Sequence, residues 1–164
     1  MALKKLPRCL DSNSIITHDI KFIFNNQLLG EPVMSSAHKV ILSIASDVFE
    51  TQFYGDVKEP LDEVDIVDAS YEAFKAMVEF IYNKRHDWES EDIHFLADMF
   101  YLGEKYILED LKLEVVEAVN KIQVSQANVL EVAALAERQS HHPIFSKSLY
   151  IIAAKFLQKK FNAV

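Results

Sequence analysis

Residues Ala37 to Glu59 read AHKVILSIASDVFETQFYGDVKE, and the organisation of the chain depends on how that stretch divides. Val40, Ile41, Ile44 and Ala45 fall on one face of a first helix, at the spacing of a buried stripe. Ser46 offers a side-chain oxygen to the free N–H groups of a second helix, whose apolar positions are Val48, Phe49 and Phe53. Gly55 is expected to end that helix in the left-handed conformation. Two short helices in succession, with large aromatics on the second, make a helical knuckle with a surface to show a partner.

Upstream, Asp19 to Phe24 alternates around apolar and aromatic residues and reads as a strand. Asn25-Asn26 and Gly30-Glu31-Pro32 are turn signals, and Val33-Met34 returns as the partner strand. Downstream, Val64 to Val67 is a short strand, and Asp68 or Ser70 caps a helix from Tyr71 to about Asn83. Its inward residues are Phe74, Met77, Val78 and Ile81. A charged loop, Asn83 to Glu89, carries Trp88. Ser90 is expected to cap a helix with Ile93, Leu96, Ala97 and Phe100 inward, running down near Gly103 or shortly after, and Ile107 and Leu108 are expected to pack a connector. The next, about Glu109 to Ile122, has Leu111, Val115, Val119 and Ile122 in register. A last helical pair follows. One helix starts at Val124-Ser125-Gln126, with Val129, Leu130, Ala133, Ala134 and Ala136 apolar, and breaks at His141-His142-Pro143. The other, about Ser146 to Phe161, sets Leu149, Ile152, Ala153, Phe156, Leu157 and Phe161 at helical spacing. A few early strands followed by helix upon helix define an α+β fold, a small sheet capped by helices.

The 164 residues are half apolar, enough for one cored domain with a helical extension. The net charge of −8 comes with no cationic run longer than two, which argues against nucleic acid as a direct partner. No apolar run approaches the ~20 residues of a membrane span. The N-terminal segment lacks the apolar core of a signal peptide. The single cysteine, Cys9, excludes an intrachain disulfide. A cytoplasmic or nuclear protein is the expectation.

Catalytic patterns are weighed by spacing. The three glycines, Gly30, Gly55 and Gly103, are too dispersed for a phosphate-cradling loop or a nucleophile elbow. No two of the six histidines stand at i, i+4, and Cys9 has no second ligand nearby, so no metal or other cofactor is implied. Glu91-Asp92 and Glu109-Asp110 occupy first helical turns, where the helix dipole favours carboxylates. Binding, not catalysis, is the expectation.

Taken together, these residues resemble a BTB/POZ domain. The marks are Asp19 at the first strand, Ala37-His38-Lys39, Ser46-Asp47-Val48-Phe49 and Phe53-Tyr54-Gly55-Asp56. Further on come Val64-Asp65-Ile66, Ala73-Phe74, Phe80-Ile81-Tyr82, and Ala97 through Tyr106 with Leu108 to Leu111. The resemblance covers residues 15–122. Residues 1–14 correspond to a short dimerisation segment, and 123–164 resemble the 3-box, or start of a BACK domain, of ubiquitin-ligase adaptors, with Ser125 to Asn128 at its opening.

The resemblance implies an adaptor that joins a BTB-specific cullin to a substrate protein. Its hydrophobic-x-Glu motif matches Val57-Lys58-Glu59, where an apolar side chain fills a pocket and the carboxylate accepts donors from a cullin helix. Phe53, Tyr54 and Tyr82 are placed on the same surface, and the last helices, through Leu130 and Ala134, add a groove for an extended cullin segment. The resemblance also implies homodimerisation, with the seam at Leu3, Leu6, Leu10 and Asp19, although Pro7 interrupts the leucines. His38 and Phe49 are read as scaffold, with Phe53 partly exposed. The alternative is a BTB oligomerisation, scaffold or corepressor-recruiting module without a ligase role.

Overall fold

Strict alternation in the first strand sets the layers. The computed structural model describes residues 18–24, 32–55, 62–82, 86–88 and 91–162. In β1 (Ile20–Phe24), Ile20, Phe22 and Phe24 point inward and are buried, while Lys21 and Ile23 face the other side. β2 (Val33–Ala37) pairs antiparallel with β1, Ile20 opposite Ala37 and Phe24 opposite Val33. β3 (Glu63–Asp65) pairs parallel on the other edge, Phe22 opposite Val64. The order β2-β1-β3 makes a small mixed sheet with the first strand at its centre. The turn expected over Asn25 to Glu31 lies outside the described residues, as do Leu3, Leu6, Pro7, Cys9 and Leu10.

The knuckle follows as α1 (Lys39–Ala45) and α2 (Asp47–Tyr54). Its first helix is turned from the expected face. Ile41 and Leu42 are buried, whereas Val40, Ile44 and Ala45 are exposed. The reason is length: in a seven-residue helix entered from a strand, the buried Ala37 and His38 at its mouth set which side meets the sheet. Ser46 caps α2 as expected, its oxygen accepting the Phe49 N–H at 3.3 Å. Gly55, however, is extended (φ −65°, ψ 171°). Its glycine character serves close approach, since a Cβ there would stand 2.3 Å from the Thr51 carbonyl oxygen.

Ser70 caps α3 (Tyr71–Ile81), which buries Phe74, Met77, Val78 and Ile81 as its periodicity requires. α4 (Ile93–Lys105) is capped by Asp92 rather than Ser90: a carboxylate oxygen accepts from both His94 and Phe95 N–H, at 2.8 and 3.0 Å. An ionised cap suits the positive helix end better than a hydroxyl. α5 (Glu109–Lys121) buries Leu111, Val115, Ala118 and Val119. Trp88, expected in a charged loop, instead plugs the core at 7 % exposure, its indole N–H donating to Glu114 at 2.8 Å.

The last pair is α6 (Val129–Arg138) and α7 (Pro143–Phe161), which pack on each other, and α7 also packs on α5. Both begin elsewhere than expected. Ser125 and Asn128 tie up their own backbone, the Asn128 oxygen accepting the Ser125 N–H at 2.7 Å, so α6 starts only at Val129. Pro143 is the first residue of α7 rather than a break before it, because a missing N–H costs nothing there. Ala136 and Phe145 are fully buried, and Phe145 stacks on Phe100 of α4 at 4.7 Å, joining the pair to the main core. No helix among the described residues is long and apolar enough to cross a membrane.

Candidate functional site

The knuckle is fastened at one residue. Ser46 is 2 % exposed and uses its hydroxyl twice: the oxygen accepts from Phe49, and the proton goes to the Tyr106 carbonyl at 2.7 Å. That second bond ties α2 to the turn between α4 and α5. Above it runs a stack of three rings. Phe53 lies on Phe49 at 5.6 Å and Phe49 on Tyr106 at 4.3 Å, all nearly parallel. Phe49 is fully buried and Phe53 half-buried, so the stack runs from the core to the surface of α2, where Tyr54 is 55 % exposed. Burial pushes the Tyr106 phenol up to about 12, with the Asp68 charge adding to it.

The α4–α5 turn is held on its other side by charge. Lys105 reaches both Asp68 oxygens, at 2.9 and 2.8 Å, and the Tyr101 hydroxyl donates to the same carboxylate at 2.6 Å. These donors hold the Asp68 carboxyl below its ordinary range, the Lys105 hydrogen bond contributing most. Nearby Asp98 lies above that range because burial disfavours its charge.

Within this clamp, Ile107 has φ 54°, the one positive value at a non-glycine among the described residues. The Leu108 N–H donates to Gly103 O at 2.8 Å and the Ile107 N–H to Glu104 O at 3.3 Å. Those paired bonds are a Schellman C-cap, a motif that ordinarily places glycine where Ile107 stands. A β-branched side chain in this conformation costs about 1–2 kcal/mol.

The expected contact residues do not all meet. Tyr54 is on the surface with Phe53 beside it, whereas Leu130 (79 % exposed) and Ala134 are exposed on α6. Tyr82 is a correction. It is 6 % exposed, and its hydroxyl oxygen accepts the His38 backbone N–H at 2.9 Å while facing the His38 ring nitrogen. It belongs to the core with His38, because a phenol able to satisfy a buried imidazole is drawn inward. Asp19, assigned to a dimer seam, accepts the Lys39 N–H at 2.7 Å and so caps α1 from across the sheet. Val57 and Glu59 lie outside the described residues. Of the two residues expected to pack the connector, Leu108 is buried but Ile107 is 54 % exposed, because its left-handed backbone turns the side chain outward. The signal available was Gly103 four residues before an isoleucine, a glycine one turn too early to cap α4.

A family model described as BTB/POZ domain matches residues 13–123. The chain belongs to the BTB/POZ family. BTB/POZ domain-containing protein 6 of Mus musculus is 31% identical over 134 residues, covering 77% of this chain and 24% of the relative. BTB/POZ domain-containing protein 3 of Homo sapiens is 33% identical over 99 residues, covering 54% of this chain and 18% of the relative. This BTB/POZ chain thus spans about a quarter or less of the length of these curated relatives. Among solved structures, the BTB domain of zebrafish PATZ1 superposes with a TM-score of 0.51 at 14% identity, over 64% of this chain and 77% of that chain, a likeness of fold. The BTB/POZ domain is a protein-interaction domain, so membership of the family supports a protein–protein interaction role for this chain.

Proposed function

We propose that this BTB/POZ chain is a cullin-RING ubiquitin-ligase adaptor, joining a BTB-specific cullin to a substrate protein. The observation that carries the reading is the position of Tyr54, 55 % exposed at the end of α2, three residues before the hydrophobic-x-Glu motif Val57-Lys58-Glu59. An exposed amphipathic ring followed by an apolar side chain and a carboxylate supplies contact area, a pocket anchor and a register-fixing acceptor. In this reading α6 and α7 are the 3-box or start of a BACK domain, and Leu130 and Ala134 lie on the face turned to an extended cullin segment. Self-association runs through Leu3, Leu6 and Leu10.

Titration of the chain against the isolated N-terminal region of the cullin tests this. Binding in the nanomolar-to-micromolar range is expected, weakened at least about tenfold by Val57→Asp or Glu59→Lys, the loss of roughly 1.4 kcal/mol or more that an anchor position supplies. If both variants bind like the wild type, the site is misplaced.

A further inference from the structure

The C-terminal half of α7 forms one wall of a groove whose other wall is the end of α5 and the connector after it. The groove encloses about 490 Å3, within the range of ligand-binding clefts. Ile122 and Val124 of the connector and Phe156 of α7 are half-buried along it and give it an apolar lining. Lys155, Lys159 and Lys160 line it too, and among the described residues no carboxylate does.

Helix geometry accounts for part of this pattern. Cations in a last turn suit the negative end of the helix dipole, which explains Lys159 and Lys160. Lys155 stands more than a turn earlier. Among the described residues Lys155 and Lys159 meet no carboxylate, and Lys160 is held by a neutral group, donating to Gln126 Oε1 at 2.9 Å. By contrast, Lys21, Lys39, Lys105 and Lys112 are each matched with an acid of the chain. Three uncompensated cations around an apolar lining, in a chain of net charge −8, are complementary to a ligand that brings both carboxylates and an apolar side chain. A bilayer or a nucleic acid fits less well, because a long polyanion meets the field of the whole acidic chain. A short acidic peptide brings its few charges to the groove alone.

We infer that the groove between α5 and α7 binds an acidic segment of a partner protein, with its carboxylates on the three lysines and an apolar side chain against Phe156 and Ile122. The inference goes beyond the adaptor reading. It shares no residue with the hydrophobic-x-Glu motif or with Leu130 and Ala134, so the two fail separately.

The test titrates a fluorescent peptide, Glu-Asp-Glu-Leu-Glu-Asp-Glu, into the full chain and follows its anisotropy. Binding in the micromolar range is expected, weakened at least about fivefold when alanine replaces the leucine. A Lys155→Glu, Lys159→Glu variant is expected to lose at least about tenfold, and Lys155→Gln, Lys159→Gln an intermediate amount. Both side chains are exposed, so these variants keep the urea midpoint, and they keep the wild-type response to the cullin N-terminal region. No binding of the acidic peptide by the wild-type chain overturns the inference. Equal binding by the charge-reversed variant, or of the alanine peptide, does the same by reducing the effect to diffuse attraction. A dimer in sedimentation that the charge reversal dissociates assigns the groove to a second copy, and capture by phosphatidylserine vesicles that the reversal abolishes assigns it to a membrane. Either result overturns the acidic partner. So does cullin binding lost in the reversed variant alone, whereas no cullin binding by any of the chains ends the adaptor reading and leaves this inference standing.

Discussion

A single hydroxyl links the two helices of the knuckle to the far side of the domain. Ser46 was legible as a cap from its place before an apolar run, but its bond to Tyr106 joins residues 60 positions apart and leaves no trace in local spacing. Ser46→Ala removes the cap and strands a buried carbonyl, so a destabilisation of about 1–3 kcal/mol is expected in urea unfolding. Histidines give a second prediction at this scale. His18 titrates below the ordinary range because of burial and then the neighbouring His38, with Asp19 opposing; both its ring nitrogens are enclosed without a hydrogen-bond partner. His142 is lowered by burial, by His141 and by Lys112, with Glu104 opposing. A depressed folded-state value means that the unfolded chain takes up protons first as pH falls. Their contribution is therefore complete above about pH 6.5 and is lost progressively below it. Thermal melts between pH 7.5 and 5 should show Tm falling with acidity, less steeply in a His18→Phe, His142→Phe double variant; equal slopes would refute the assignment.

Among the elements, periodicity located every helix described, but it did not decide the buried face where a helix is short or carries apolar residues on more than one side. The inward face of α1 is decided by two residues that precede it, not by its own pattern. In α7 the apolar residues form two faces. Phe145, Leu149, Ile152 and Ala153 are buried, while Tyr150, Ile151, Leu157 and Phe161 remain exposed on another side. Spacing alone cannot rank such faces, because both repeat with the helix. The packing does: Leu149→Ala is expected to cost about 2–5 kcal/mol through a cavity against α6 and α5, and Leu157→Ala less than about 1 kcal/mol. Equal losses in chemical denaturation would show that the second face is covered as well. The exposed face carries four lysines and no acidic residue along a helix of a chain whose net charge is −8.

For the whole molecule, the fold class and interaction role were readable because many weak local signals agree in order along the chain: the strand at Asp19, the knuckle, and Phe74 through Tyr82. The surface was less readable. Exposure of Tyr54 and burial of Tyr82 depend on how α2 and α3 pack against other elements, and two tyrosines give no sequence clue to which one is claimed by a buried histidine. Trp88 makes the distinction measurable. As the sole tryptophan, buried and hydrogen-bonded to Glu114, it should shift its fluorescence to the red on global unfolding. It should stay unshifted in Val57→Asp and Glu59→Lys, whose effects belong to partner binding. A red shift in either folded variant would mean that the substitution disturbs the core.

The central position of β1 also fixes an order of events during synthesis. Lys21 and its parallel neighbour Glu63 are 42 residues apart, with the whole knuckle between them. A hairpin of β1 and β2 alone is marginal in water, and a parallel crossover forms late because its loop must close first. As the chain leaves the ribosome, Ile20–Phe24 therefore presents an open strand edge until Asp65 has emerged and the knuckle has folded beneath it. During that interval the edge is a template for pairing with another nascent chain.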